Sequence, residues 1–195
     1  MKKFLLLFAI VSLIVFSGCN LKPESANEST IIINRDGTIK SVIVESFPQD
    51  VYDEGELRQM IHDSISVYNN LHDFGDVKLI SLTVDSDVAR VEMLYNSGKD
   101  YAEFNNKDFY FGTVSAALDA GYAKSATLKN AHGDNTVSGS MINDLGTYHM
   151  IVSDENVNLS AYASVLYYSG NLEVTDDNTV KRLEDSSGLS YVIVK

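Results

Sequence analysis

The stretch Thr30–Phe47 reads TIIINRDGTIKSVIVESF and predicts the first supersecondary unit of the fold. Two runs rich in β-branched residues flank Asp36-Gly37, and an Asp-Gly pair between such runs is a strong hairpin signal. The apolar residues Ile39, Val42 and Val44 do not alternate strictly, so the sequence leaves the strand register open. We therefore expect an antiparallel pair of strands at the start of a folded domain.

The segment that follows predicts a long amphipathic helix from Asp53 to about Asn70. Asp53 suits the N-cap position, and Glu56 three residues later completes a capping-box pattern. The face predicted to be apolar shows helical spacing and comprises Leu57, Met60, Ile61, Ser64, Ile65 and Tyr68. A second hairpin is expected around residues 85–87, and short helices are expected near Lys99–Asn105 and Thr113–Ala120.

From Ala126 onward the apolar period becomes two, with turn residues every few positions, which is typical of short strands. The expected strands are Tyr148–Val152, Val165–Tyr168, Leu172–Val174, Thr179–Leu183 and Leu189–Val194. The predicted fold class is α+β, with a β-hairpin and helix N-terminal part followed by a β-rich C-terminal part. One domain over residues 30–195 is expected, with two lobes, 30–125 and 126–195, as an open possibility.

Toward the N-terminus, residues 1–19 read MKKFLLLFAIVSLIVFSGC. Two lysines, a short apolar run and two small residues are typical of a signal peptide, and the run is too short to span a bilayer. The segment Val15-Phe16-Ser17-Gly18-Cys19 resembles the lipobox of bacterial lipoproteins, although leucine is usual where Phe16 stands. This resemblance implies cleavage after residue 18 and lipidation of Cys19, with residues 19–29 as a polar, flexible tether.

Composition agrees with an extracytoplasmic location and argues against one class of partner. Cys19 is the only cysteine, so it has no internal disulfide partner, and two acyl chains would make a stable anchor. Removing Lys2 and Lys3 with the signal peptide would move the net charge from −12 to −14. A surface this acidic is unsuited to nucleic acid, whose phosphates need lysine and arginine. We expect the protein on the outer face of the cytoplasmic membrane.

Three further stretches carry a wider resemblance: NRDGTIKSVIVESF (34–47), EFNNKDFYFGTVSAALDAGY (103–122) and LEVTDDNTVKRL (172–183). Their pattern resembles that of small uncharacterised lipoproteins of Gram-positive gut bacteria. Those proteins have no established activity, so the resemblance supports the lipoprotein prediction and implies no chemistry.

Residue patterns for known chemistry are absent from the sequence. No two glycines of the mature chain are separated by one residue, which excludes a dinucleotide fingerprint and a nucleophile elbow. No serine stands three residues before a lysine, and Cys19 is assigned to the lipid. We expect no catalytic residue, no cofactor and no metal. Zinc at scattered histidines (His62, His72, His132, His149) and calcium at the Asp-rich turns remain alternatives.

Eleven tyrosines and no tryptophan distinguish the aromatic content. Tyr162, Tyr167 and Tyr168 cluster in the sequence and are candidate contacts for a ligand or partner, because tyrosine is favoured at interfaces and stacks on sugars. The alternative is that they are ordinary strand residues with one buried face. The aromatic stretch Glu103–Thr113 is interpreted as a junction that seals the core, with a recognition loop as its alternative.

These observations favour a membrane-anchored, non-enzymatic binding or accessory protein for an envelope protein or peptide. A cell-wall or glycan-binding module is the second hypothesis. A hydrolase with a carboxylate or metal site is the third, since acidic residues are numerous.

Overall fold

A computed structural model describes residues 28–72 and 76–195. The fold is mixed α and β, rich in strands, with two sheets and four helices in the described residues. This agrees with the α+β class predicted from the sequence. The predicted signal peptide, Cys19 and most of the tether lie outside the described residues. Within residues 28–72 and 76–195, no helix is both long and apolar enough to cross a membrane.

Seven strands form the first sheet, in the spatial order β11-β12-β9-β1-β2-β4-β3. They are β1 (Thr30–Ile33), β2 (Ile39–Ser46), β3 (Val77–Asp85), β4 (Val88–Tyr95), β9 (Asn158–Ala161), β11 (Leu172–Asp176) and β12 (Thr179–Arg182). Strands β1 and β9 are parallel, and the other neighbours are antiparallel. The first strand of the domain therefore lies in the middle of this sheet, beside a strand from the C-terminal part of the chain.

Six antiparallel strands form the second sheet, in the order β5-β8-β13-β10-β6-β7. They are β5 (Phe109–Thr113), β6 (Thr127–Asn130), β7 (Thr136–Ser138), β8 (His149–Ser153), β10 (Val165–Ser169) and β13 (Ser190–Val194). The helices are α1 (Glu54–Leu71), α2 (Gly98–Asn105), α3 (Val114–Asp119) and α4 (Ser140–Asn143).

The turns between β1 and β2 and between β3 and β4 follow from local chemistry. Gly37 adopts a φ of 87°, a left-handed conformation that glycine adopts without steric cost. Asp36 Oδ1 accepts hydrogen bonds from the Thr38 amide and hydroxyl, at 3.1 and 2.7 Å. In the second turn, Ser86 and Asp87 have φ values of 52° and 60°, the pattern of a two-residue hairpin turn.

Helix α1 lies along the edge of the first sheet. Asp53 caps its N-terminus, because its side chain accepts the Glu56 amide at 2.9 Å. Tyr68 is its one fully buried residue, so the helix is only partly embedded. Two of its side chains reach the backbone of edge strand β3: Asn69 bonds both the N–H and the C=O of Val77, and Arg58 donates to the Leu82 carbonyl.

Two cores divide the buried side chains. The larger core takes residues from both sheets and from α1 and α2, and the smaller takes residues from the second sheet, α3 and α4. Neighbouring residues of β8 enter different cores: Ile151 lies in the larger one, and Met150 and Val152 lie in the smaller one. Since successive strand residues point to opposite faces, the second sheet is buried on both faces.

The strand order does not follow the possible division into lobes 30–125 and 126–195. Strands β9, β11 and β12 of the second segment complete the first sheet, and β5 of the first segment lies in the second sheet. The fold also includes two residues that the sequence assigns to the tether. Ser29 Oγ bonds the backbone of Val44, and the Glu28 carboxylate bonds Asn158 and Lys181.

Candidate functional site

The three tyrosines singled out in the sequence as candidate contacts lie in different surroundings. Tyr167 and Tyr168 are successive residues of β10, so their side chains point to opposite faces of the second sheet. Tyr168 packs against the larger core and Tyr167 against the smaller one. Tyr162 lies in the connection between β9 and β10. All three are partly buried, so none is excluded as a contact residue by burial alone.

Tyr162 instead joins two aromatic residues that are distant in sequence. Its hydroxyl lies 3.0 Å from His149 Nδ1. The His149 ring stacks on Phe111, with centroids 5.4 Å apart and an interplanar angle of 23°. The Tyr162 ring stands nearly perpendicular to both, at 82° to Phe111 and 75° to His149. We call these three residues, Phe111, His149 and Tyr162, the aromatic corner.

Strand pairing places the corner at one end of the second sheet. Thr113 of edge strand β5 lies opposite His149 of β8, and Phe111 lies opposite Ile151. Gly98, the first residue of α2, approaches the same strand so closely that an added Cβ would lie 3.3 Å from the Phe111 backbone nitrogen and from Phe111 Cβ. The corner is therefore held by two strands, the β9–β10 connection and the start of α2.

The corner combines partly exposed ring faces with polar atoms. Phe111, His149 and Tyr162 are each intermediate in exposure. Aromatic rings with a polar tip bind peptides and sugars because one part excludes water while the other forms hydrogen bonds. The hydrogen bond to Tyr162 occupies Nδ1 of His149, so Nε2 is the ring nitrogen that can meet a ligand. The corner can therefore hold a ligand by ring contacts and hydrogen bonds.

Two shallow clefts lie elsewhere in the described residues. One, of about 360 Å³, is lined by Leu118, Asp119, Lys124, Gly139 and Asn143. Another, of about 350 Å³, is lined by Ala102, Glu103, Asn106, Lys107, Asp108 and Asp154. Neither is lined by a residue of the corner.

A carboxylate and a buried tyrosine lie beside the second cleft. The Tyr101 hydroxyl donates to Glu155 Oε1 at 2.7 Å, and Tyr101 is 4 % exposed. Burial raises the pKa of Glu155 above its usual range, while the hydrogen bond from Tyr101 and the charge of Lys107 oppose this increase. Burial and the nearby Glu155 charge also raise the pKa of Tyr101. The charge of the neighbouring Asp154 adds to the increase in the pKa of Glu155.

The histidines considered for zinc are dispersed. His62 and His132 are exposed, His149 belongs to the corner, and His72 stacks on Tyr68 with ring centroids 4.1 Å apart. Over residues 28–72 and 76–195, no group of three or more His, Cys, Asp or Glu side chains is placed to hold a metal ion.

Two aspartates of the Asp-rich turns accept hydrogen bonds from backbone amides. Asp87 Oδ1 accepts the Gln49 amide at 3.1 Å, and Asp176 Oδ1 accepts the Asp177 amide at 2.7 Å. The Asp176 bond is local and of the kind that makes aspartate frequent in turns, whereas the Asp87 bond joins the turn to a segment distant in sequence. These two side chains therefore have a structural role in the fold.

Sequence reasoning found Tyr162 but not its partners in the corner. Phe111 stood in a stretch interpreted as a core seal, and His149 was interpreted as an ordinary histidine. No local signal joins them, because they come from different strands and meet only through the pairing of β5 with β8. Comparison of the chain with protein-family models, curated proteins and solved structures gives no match.

Proposed function

We propose that this chain is an exported bacterial lipoprotein, anchored through Cys19 on the outer face of the cytoplasmic membrane, that binds an envelope protein or peptide without catalysing a reaction. The observation that carries the binding role is the aromatic corner. The anchor is supported by the sequence from Val15 to Cys19 and by the short apolar segment before it.

Two properties of the corner support a protein or peptide ligand. Its three residues are each partly exposed, and they come from strands and a connection that are distant in sequence, so a partner can contact them together. Aromatic residues in this setting are frequent at the centres of protein interfaces, where they bury much area at low entropic cost. The net charge of −12 disfavours anionic polymers as ligands.

The anchor can be tested directly at Cys19. In the native bacterium, we expect the mature N-terminal peptide to begin at Cys19 and to carry acyl chains detectable by mass spectrometry. A Cys19→Ala variant should lose this modification and leave the membrane fraction. A mature protein whose Cys19 is present as an unmodified thiol would contradict the anchor.

The binding role can be tested by site-specific photocrosslinking in the same cells. A photoreactive residue at Ser164, exposed and two positions from Tyr162, should capture one dominant protein. The same residue at Met141, 51 % exposed on α4, serves as the control. Tyr162→Ala should abolish capture and Tyr162→Phe should retain most of it. Equal capture from both positions would reject the corner as the binding surface.

A glycan ligand is the second candidate, favoured by the partial exposure of the Tyr162 ring. Retention of the protein on purified cell walls, lost in Tyr162→Ala and kept in Tyr162→Phe, would select it over a protein partner. Identical retention of the wild-type protein and both variants would exclude the hypothesis that Tyr162 stacks on a sugar.

A further inference from the structure

Glu155 lies where three segments of the chain meet. Its side chain accepts the hydroxyl of Tyr101 from α2, at 2.7 Å. Its amide donates to Ser153 Oγ at 3.1 Å, and its carbonyl accepts from the buried Arg182 of β12 at 3.4 Å. A change in the charge of this one carboxyl group therefore acts on the joint between α2, the β8–β9 turn and β12.

The residues at the joint partly shield the Glu155 carboxyl group from water. Glu155 is partly buried, and its one side-chain hydrogen bond within the described residues comes from Tyr101. No lysine or arginine of residues 28–72 and 76–195 lies within 4.0 Å of its carboxylate. A buried carboxylate with few partners is costly when ionised, so such a site favours the protonated form.

Four charged residues line the cleft beside the joint: Glu103, Lys107, Asp108 and Asp154. Lys107, after α2, opposes protonation, and Asp154 in the same turn as Glu155 favours it. Tyr101 stacks edge-on against Tyr95 of the first sheet. Arg182 contacts Glu155 through the hydrogen bond that it donates to the Glu155 carbonyl.

We propose that Glu155 is a proton-responsive residue that tightens the joint between α2 and the β8–β9 turn when the surroundings become acidic. Asp154 and Lys107 both line the cleft beside this joint, so the response alters the rigidity of the cleft wall. A protein outside the cell experiences the pH of its environment directly, and this residue couples that pH to the fold whatever the aromatic corner binds.

The sign of the effect follows from linkage. Because burial raises the pKa of Glu155 in the folded protein, the folded state binds the proton more tightly than the unfolded state does. The stabilisation is fully present below the unfolded-state pKa, about 4.3 for glutamate, and is lost as the pH rises through the folded-state pKa. Acidification from neutral pH therefore strengthens the joint.

Native-state hydrogen exchange of the full-length protein tests this, with rates corrected for intrinsic pH dependence. The reporter is the Lys107 amide, which bonds the Ala102 carbonyl at 3.0 Å, and the reference is the Ala131 amide, which bonds the Leu166 carbonyl at 2.9 Å. From neutral pH to about pH 5, the opening equilibrium at Lys107 should fall by at least about twofold relative to Ala131, because the open state binds the Glu155 proton less tightly than the folded state does.

Glu155→Gln is the matched variant, because it keeps the shape and an oxygen for Tyr101 but cannot titrate. Its Lys107 opening should change by less than about twofold over the same range, well below the factor that one pKa unit gives. The same pH dependence in wild type and variant would overturn the proposal, because the response would then come from the general acidity of the chain.

Tyr101→Phe provides a second measurement that does not depend on the glutamine variant. Removing a hydrogen bond that lowers the pKa of Glu155 should move the transition to higher pH. A transition that stays at the wild-type pH would reject the Tyr101–Glu155 pair as the responsive unit.

Discussion

Asp53 and Gly55 show how one residue can limit the choice at another. Asp53 Oδ1 accepts the Glu56 amide at 2.9 Å, and a Cβ added to Gly55 would lie 2.9 Å from the same oxygen. Real side chains essentially never approach so closely, so the carboxylate would have to move off its hydrogen bond. The glycine, which the helix pattern alone treats as a defect, is the residue that leaves room for the cap.

We expect Gly55→Ala to give no gain in the free energy of unfolding. Alanine normally stabilises a helix by about 0.5–1 kcal/mol relative to glycine, but here the loss of the cap, about 1 kcal/mol, offsets it. In an Asp53→Ala background the same substitution should recover the full gain. Urea unfolding of the four proteins measures the coupling, and additive effects of the two substitutions would show that the cap and the methyl group do not interfere.

The aromatic corner shows the limit of prediction at this scale. Tyr162 was singled out because tyrosine is common at interfaces, and its role as a contact residue stays a prediction. The grouping was not readable, because Tyr167 and Tyr168 are close in sequence yet lie on opposite faces, whereas His149 and Phe111 reach Tyr162 through strand pairing. Proximity along a strand is a poor guide to proximity in space.

Among the elements, β3 is the nine-residue strand at one edge of the first sheet. Side chains of α1 form hydrogen bonds with some of its outward backbone groups. Asn69 of α1 takes the place of a neighbouring strand at Val77, with both bonds at 3.0 Å. Arg58 donates a hydrogen bond to the Leu82 carbonyl at 3.2 Å. A register shift interrupts the pairing of β3 with β4 between Leu79 and Ser81. Open strand edges recruit other chains, so these bonds and the register shift make this edge a poor partner for another strand.

Asn69→Ala should destabilise the protein by about 1–3 kcal/mol, because it leaves the Val77 backbone groups without partners. Asn69→Asp is the graded control, since it can still accept from the Val77 amide but cannot donate to the Val77 carbonyl. Thermal unfolding should rank the proteins as wild type, Asp variant and Ala variant. An alanine variant as stable as wild type would mean that water replaces both bonds at no cost.

Elements whose residues alternate or follow helical spacing were the ones that sequence patterns could predict. Strands β10 to β13 lie close to the expected positions, within a residue or two at their ends. Strands β5, β6, β7 and β9 were missed. They have three to five residues each, and no turn signal such as Asp36-Gly37 marks them as a hairpin. Their identity depends on their partners in the sheet, which the local sequence does not contain.

At the scale of the whole molecule, the two sheets exchange strands from distant parts of the chain. The C-terminal part alternates between them: β8 belongs to the second sheet, β9 to the first, β10 to the second, and β11 and β12 to the first. The composition changes near residue 126, and each sheet takes strands from both sides of that position. The coarse class was predictable, and the strand order was not, because it depends on long-range pairing.

This exchange predicts how the protein responds to division. Residues 28–125 alone lack β9, β11 and β12, and they also lack the partner of β5, so we expect no cooperative unfolding transition for this fragment. Residues 126–195 alone should also remain unfolded. Mixing the two fragments should restore native circular dichroism and a cooperative transition. Independent folding of either fragment would show that the cross-sheet strands are dispensable.

The central place of β1 has a mechanical consequence if the chain is tethered at Cys19. A pull along the tether enters the domain at Glu28, whose carboxylate is bonded to Lys181 and Asn158, and then at β1 between β2 and β9. A force directed along β1 loads both of its hydrogen-bond ladders together in shear, so they do not open one bond at a time. Such an attachment lets a cell-surface domain withstand drag on whatever it holds.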